Sequence, residues 1–182
     1  MKRESEKKGQ VWVETVIYTS IALLMIGMVL AYAKPKIEEF QDKAILEQSL
    51  EMFRTIDNTI VTIGVSGNKR FVEVKLKKGS LKIDGENDKI SFEMDSKYIY
   101  SQPGEEILDS LSGRITTLTE KVSGTNRVIF TANYSESNID ITYGKEDKFK
   151  TLSKSPTSYK LLISNDGKKN DNTLIDLSLS GI

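Results

Sequence analysis

The chain contains no cysteine and no histidine. Without cysteine there is no disulfide and no thiolate nucleophile. Without histidine the usual general base, the commonest metal ligand and the middle member of a Ser-His-Asp triad are all missing. Carboxylate or lysine catalysis stays open, yet spacing marks out no Asp or Glu pair as a dyad. No Gly-rich phosphate loop follows a strand pattern. The expectation is therefore a chain that is not an enzyme and uses no cofactor and no metal. One-sided charge is also lacking: Lys+Arg is 26 and Asp+Glu is 26, so no basic excess points to nucleic acid and no acidic tail is present. Proline is scarce, with three residues in 182, which permits long uninterrupted elements.

What is present is a long apolar run near the N-terminus. Thr15 to Ala33 is 19 residues without a charge. As a helix that is roughly 28 Å, close to the hydrocarbon thickness of a bilayer. A charged segment, Met1 to Gly9, precedes it with Lys2, Arg3, Lys7 and Lys8. Glu14 sits just inside the apolar part. A plain anchor has no need of that carboxylate, and an ionisable group there is a functional-site hypothesis. Ala31-Tyr32-Ala33 offers a crude small-residue cleavage site, so an ordinary secretory signal or an uncleaved signal anchor is the competing reading of the run.

The segment KKGQVWVE, Lys7 to Glu14, resembles the processing site of archaeal type IV pilins, the class III signal-peptide group. Those precursors carry a short basic leader, then Gly-Gln, then a Glu five residues into the mature chain. Lys7 and Lys8 match the basic pair, Gly9 the last leader residue, Gln10 the first mature residue and Glu14 the fifth. The resemblance covers Lys7 to Ala33 directly. It implies cleavage of Gly9–Gln10 by a prepilin peptidase and storage of the subunit in the membrane with its N-terminus cytoplasmic. An assembly ATPase and a membrane platform protein would then extract it into an extracellular filament of identical or related pilins. Adhesion is the commonest role implied. Loss of residues 1–9 would leave 22 basic and 24 acidic residues, a net charge of −2.

Beyond Ala33 the helical pattern continues. Ile37, Phe40, Ala44, Gln48, Met52 and Ile56 recur at spacings of three and four, widened by Ile45, Leu46, Leu50 and Phe53. Glu38, Glu39, Asp42, Lys43, Glu47, Glu51 and Arg54 are placed on the other face. Pro35 is the one breaker and predicts a kink over Ala31 to Lys34. Asp57-Asn58 ends the pattern. From Ile60 the period changes to two, with alternating runs at Val72–Leu76, Leu81–Ile83, Ile90–Met94, Val128–Tyr134, Ile139–Tyr143, Tyr159–Ser164 and Ile175–Leu179. Asn-, Asp- and Gly-containing turns bound them, including Asn165-Asp166-Gly167. Glu105 to Leu111 reads as a short helix with Ile107, Leu108 and Leu111 inward, Ile115 to Val122 as an edge strand, and Thr151 to Ser158 as a loop.

The fold class expected is α+β: a long N-terminal helix, apolar then amphipathic, packed on an antiparallel β-sandwich head. The divisions are a leader at 1–9, the helix at 10–57 with a membrane span at 11–33, and an extracellular head at 58–182. The acidic loops Asp84 to Asp88 and Asn165 to Asn172 offer oxygen ligands for calcium, but the same residues are standard turn formers, and neither loop matches an EF-hand. Asn133-Tyr134-Ser135 is the only N-x-S/T sequon, making Asn133 a possible glycosylation site. Two rivals to the filament subunit stand: a non-polymerising, membrane-anchored extracytoplasmic binding module, and a carboxylate enzyme displayed outside the cell.

Overall fold

The computed structural model describes residues 2–180 in backbone and 11–180 in side chain. Helix α1 spans Lys2–Thr62. Ten strands follow: β1 (Lys69–Val74), β2 (Ser80–Asp84), β3 (Lys89–Ser96), β4 (Glu106–Leu108), β5 (Ile115–Val122), β6 (Thr125–Asn133), β7 (Ile139–Tyr143), β8 (Phe149–Ser153), β9 (Tyr159–Lys169) and β10 (Asn172–Leu179). The chain forms two compact units, Met1–Phe40 and Gln41–Ile182. The fold is α+β, a long N-terminal helix and a β head, as the periodicities predict.

The second unit holds the core. One face of α1 contributes Leu46, Leu50, Phe53, Ile56 and Ile60, and Ile63 just past its end joins them, each at most 6% exposed. Burying each such side chain stabilises the head by about 2 kcal/mol. They join a single apolar cluster with the inward residues of two sheets. The four-stranded sheet has the order β1-β9-β10-β7, and the six-stranded sheet β4-β5-β6-β3-β2-β8. Val72, Val74, Leu161, Ile163, Ile175 and Leu177 point inward from the first, and Leu81, Ile83, Ile90, Phe92, Val128 and Phe130 from the second. Phe130 stacks on Phe92 at 5.9 Å between ring centroids and meets Tyr100 edge-on at 5.4 Å.

Several elements differ from the sequence reading. The helix does not stop at Asp57-Asn58 but runs to Thr62. Ile60, and Ile63 just past the helix end, continue its buried stripe, and Asp57 is held by Tyr134 just after β6 and Arg114 just before β5, so a residue that reads as a terminator is a packed one. That stripe is also rotated: Ala44 and Gln48 are exposed, while Asp42 and Ser49 are buried. Glu105 to Leu111 is not a helix. After the turn at Pro103-Gly104 the chain adds a three-residue strand to β5, and Ile107, Leu108 and Leu111 are exposed rather than inward. β5 is consequently flanked by β4 and β6 and is not an edge. The segment read as a loop from Thr151 begins inside β8.

Asn165-Asp166-Gly167 lies within β9, where a register shift opposite Leu174 and Ile175 marks a bulge; the hairpin turn is Asn170-Asp171, with φ of 50° and 67°. β7 pairs with β10 in parallel, the one departure from antiparallel pairing among the named strands. The intervening chain places β8 in the other sheet before returning as β9, which supplies the crossover a parallel pair requires.

Because Leu46 is the first buried residue of the apolar cluster, a fragment beginning at Gln41 is expected to fold cooperatively with a β-rich circular dichroism spectrum. A fragment beginning at Gly64 loses six core side chains. It is expected to aggregate or to melt without a cooperative transition in the same experiment.

Candidate functional site

In the first unit, every residue from 11 to 32 is exposed. Trp12 is 76% exposed and Met28 70%. Three of the polar residues on this stretch are satisfied within the helix. The hydroxyls of Thr15, Thr19 and Ser20 donate to the carbonyls of Val11, Thr15 and Val16 at 2.8, 2.7 and 2.7 Å. Back-bonding of this kind removes the need for water, so these residues tolerate an apolar surrounding. Val11, Trp12, Thr15, Val16, Thr19 and Ser20 line a shallow groove of about 360 Å³. By length and composition the helix suffices to cross a membrane. Glu14 is exposed on it.

Lys7, Lys8, Gly9 and Gln10, where the resemblance places a cleavage junction, lie outside the residues whose side chains are described. Pro35 is inside α1, and helical structure is continuous through it. At the next residue, Lys36 Nζ pairs with Glu39 Oε2 at 2.7 Å, one turn along. The apolar stripe begins in the open: Ile37 is 53% and Phe40 70% exposed.

In the second unit three carboxylate anchors fix the helical stripe on the sheets. Asp42 accepts Lys78 Nζ on Oδ1 and the Lys97 backbone N–H on Oδ2, each at 2.7 Å. Arg54 makes a two-point pair with Asp109, Nη2 to Oδ1 at 2.7 Å and Nε to Oδ2 at 3.1 Å, and its Nη1 reaches Glu51 at 2.6 Å. The Arg54 contact holds the Asp109 carboxyl below the usual carboxylate range, helped by the Ser112 N–H. Asp57 Oδ1 accepts the Tyr134 hydroxyl at 3.0 Å and Arg114 Nε at 3.3 Å, while its Oδ2 is buried without a partner. Burial, and next the Asp57 charge, raise the Tyr134 phenol well above its ordinary range. None of these anchors was legible as such. Asp42 and Arg54 sit where the pattern assigns a solvent face, and their partners are 36 to 55 residues away.

Asn133 is exposed at the end of β6, with Oδ1 accepting the Ser135 N–H at 3.2 Å and hydroxyl at 2.6 Å. The acidic loop at 84–88 is closed as a turn, with Asp84 accepting the Asn87 N–H and side-chain amide. Asp88 accepts the Ile141 N–H at 2.8 Å, and burial, followed by the charges of Asp140, Asp147 and Asp84, raises its carboxyl pKa. Among the described residues no group of three or more His, Cys, Asp or Glu is arranged to hold a metal.

The two shifted carboxyls act oppositely on stability. Asp109, depressed in the folded chain, contributes stability above its unfolded pKa of about 3.9 that is lost as pH falls through the folded value. Asp88, elevated, contributes relative stability at low pH that is lost as pH rises through its folded value. Denaturant titrations across pH 2–7 are therefore expected to show Asp109→Ala destabilising by about 3 kcal/mol at pH 7 and far less at pH 2. Asp88→Asn, which keeps the acceptor for Ile141, is expected to raise the melting temperature at pH 7 but not at pH 3. No protein-family model, curated protein or solved structure matches the chain.

Proposed function

We propose that the chain is a structural subunit of an archaeal type IV pilus-like surface filament, cut at Gly9–Gln10 and assembled through its N-terminal helix. The observation that carries this is the uncovered apolar surface of residues 11–32, beside a head whose apolar core is built from residues 46 onward. Apolar surface on that scale requires lipid or other copies around it. The Lys7-Lys8-Gly9-Gln10 junction and Glu14 supply the resemblance that selects a filament. The N-terminus stays cytoplasmic, the head is outside, and a prepilin peptidase, an assembly ATPase and a platform protein are the partners. The role is structural and adhesive, not enzymatic.

Glu14 is the residue of interest. Cleavage would give Gln10 an α-amino group with a pKa near 8, largely protonated at neutral pH. In a dry assembly, that amine on one copy and Glu14 on its neighbour gain most from a low dielectric, and losing one partner costs most. The pair would set subunit register. A second reading, a single-span anchor for a head that never polymerises, draws on the same uncovered helix. It has no use for Glu14 or for the Gly9 junction.

Two measurements separate these. N-terminal analysis of the mature chain is expected to begin at Gln10, and Gly9→Leu to leave precursor in the membrane; a start at Lys34 would show an ordinary signal peptide. Glu14→Gln keeps shape and hydrogen bonding. It is expected to insert and be processed normally while filament yield, counted by electron microscopy, falls by roughly a hundredfold. Wild-type yield from that variant would return Glu14 to a helix-end residue and leave the anchor reading standing.

A further inference from the structure

Every residue from 11 to 32 is exposed, so the apolar surface of this stretch runs all round the helix and not along one stripe. A helix apolar on every side fits lipid on every side, whereas a single docked partner covers one face. The stretch carries three amphipathic aromatics, Trp12, Tyr18 and Tyr32, exposed by 76%, 71% and 75%. Rings of this kind settle at membrane–water interfaces, with the apolar body among the chains and the N–H or O–H in the headgroup layer. Their spacing selects a pair. Trp12 and Tyr32 are 20 residues apart, about 30 Å of helix, which equals the usual hydrocarbon thickness. Tyr18 and Tyr32 are 14 apart, about 21 Å, too short for the same layer. Trp12 and Tyr32 also bracket the uncharged run: Glu14 is the one charged residue between them, and Lys34 and Lys36 follow Tyr32.

We propose that before assembly the chain sits in a lipid bilayer with Trp12 at one interface and Tyr32 at the other, so that Leu23 lies near the middle of the hydrocarbon. This depth leaves the remaining polar groups where they are tolerated. The hydroxyls of Thr15, Thr19 and Ser20 are already bonded to helix carbonyls. Side chains on a helix lean toward its N-terminus. Tyr18, about 9 Å inside Trp12, therefore sends its hydroxyl back toward the nearer interface. Glu14 lies about 3 Å inside Trp12 and leans the same way, which keeps its carboxylate beside the headgroups while the chain waits in the membrane. Past Tyr32, Lys36 and its partner Glu39 stand outside the hydrocarbon, as does Pro35, through which the helix continues. The inference rests on the membrane stage of the filament reading, which the anchor reading shares, and not on polymerisation.

Trp12 is the only tryptophan of the chain, so its fluorescence reports a single depth. The full chain is reconstituted in phosphatidylcholine vesicles that carry a spin label on the headgroup, on the upper acyl chain or near the terminal methyl. Two further full chains combine Trp12→Phe with either Tyr32→Trp or Leu23→Trp. Trp12 and the Tyr32→Trp probe are expected to emit to the blue of tryptophan in water and to give matching quenching profiles, strongest from the upper-chain label. Leu23→Trp is expected to be quenched most by the label near the terminal methyl. Unequal profiles at positions 12 and 32 would mean a span displaced along the helix and would overturn the proposal. Shallow quenching at all three positions would mean a helix lying along the surface and would overturn it too. Water-like, unquenched emission from all three chains would mean that the helix does not enter lipid. The membrane stage itself then fails, an outcome distinct from a chain inserted at another depth.

Discussion

Burial of one helical stripe governs the head. Each sheet is apolar on one face, and Leu46, Leu50, Phe53, Ile56, Ile60 and Ile63 complete the cluster those faces form. The apolar contacts by themselves are non-directional, so they do not set where along its axis, or at what rotation, the helix rests. The charged side chains do. Asp42 at the start of the stripe, Arg54 in its middle and Asp57 near its end each bind groups in a different connection beside the strands. A slip of one residue turns the helix by about 100° and breaks all three at once. Apolar burial supplies most of the stability, and the buried charges select one register from those that bury similar area.

The same helix has the opposite character in its first unit. Its apolar residues outnumber those of the second unit's stripe, yet none from 11 to 32 is covered. Its Thr15, Thr19 and Ser20 hydroxyls bond within the helix and need nothing from a neighbour. A surface of that kind is indifferent to which apolar environment surrounds it, lipid chains or other helices. Specificity must then come from its few polar features, and in the filament reading that places it on Glu14 and on the amine that cleavage creates.

Much of the fold was legible because two periods carry it. The switch from spacing of three and four to alternation after the helix located both the helix and most strands, since burial on one side imposes each pattern. What escaped detection has a common cause: it depends on partners distant in sequence. Asp42 reads as solvent-facing until Lys78 and the Lys97 N–H are known to meet it. Asp57-Asn58 reads as a helix stop until Tyr134 and Arg114 are known to hold Asp57. Ile107, Leu108 and Leu111 have helical spacing, yet pairing with Thr116 to Leu118 made the first two strand residues. The parallel β7–β10 pair is invisible to alternation, which is the same for either direction. Of the candidate site, the apolar helix and Glu14 were legible from the sequence; the anchors were not.

The division of labour along α1 bears on how a subunit could pass from membrane to filament. The buried apolar cluster and the three carboxylate anchors all lie from residue 42 onward. In the filament reading, exchanging lipid for neighbouring helices around residues 11–33 would therefore break none of them. What changes in that reading is confined to the apolar surface of residues 11–32, which the chain leaves exposed and which lies in a different compact unit from the core of the head.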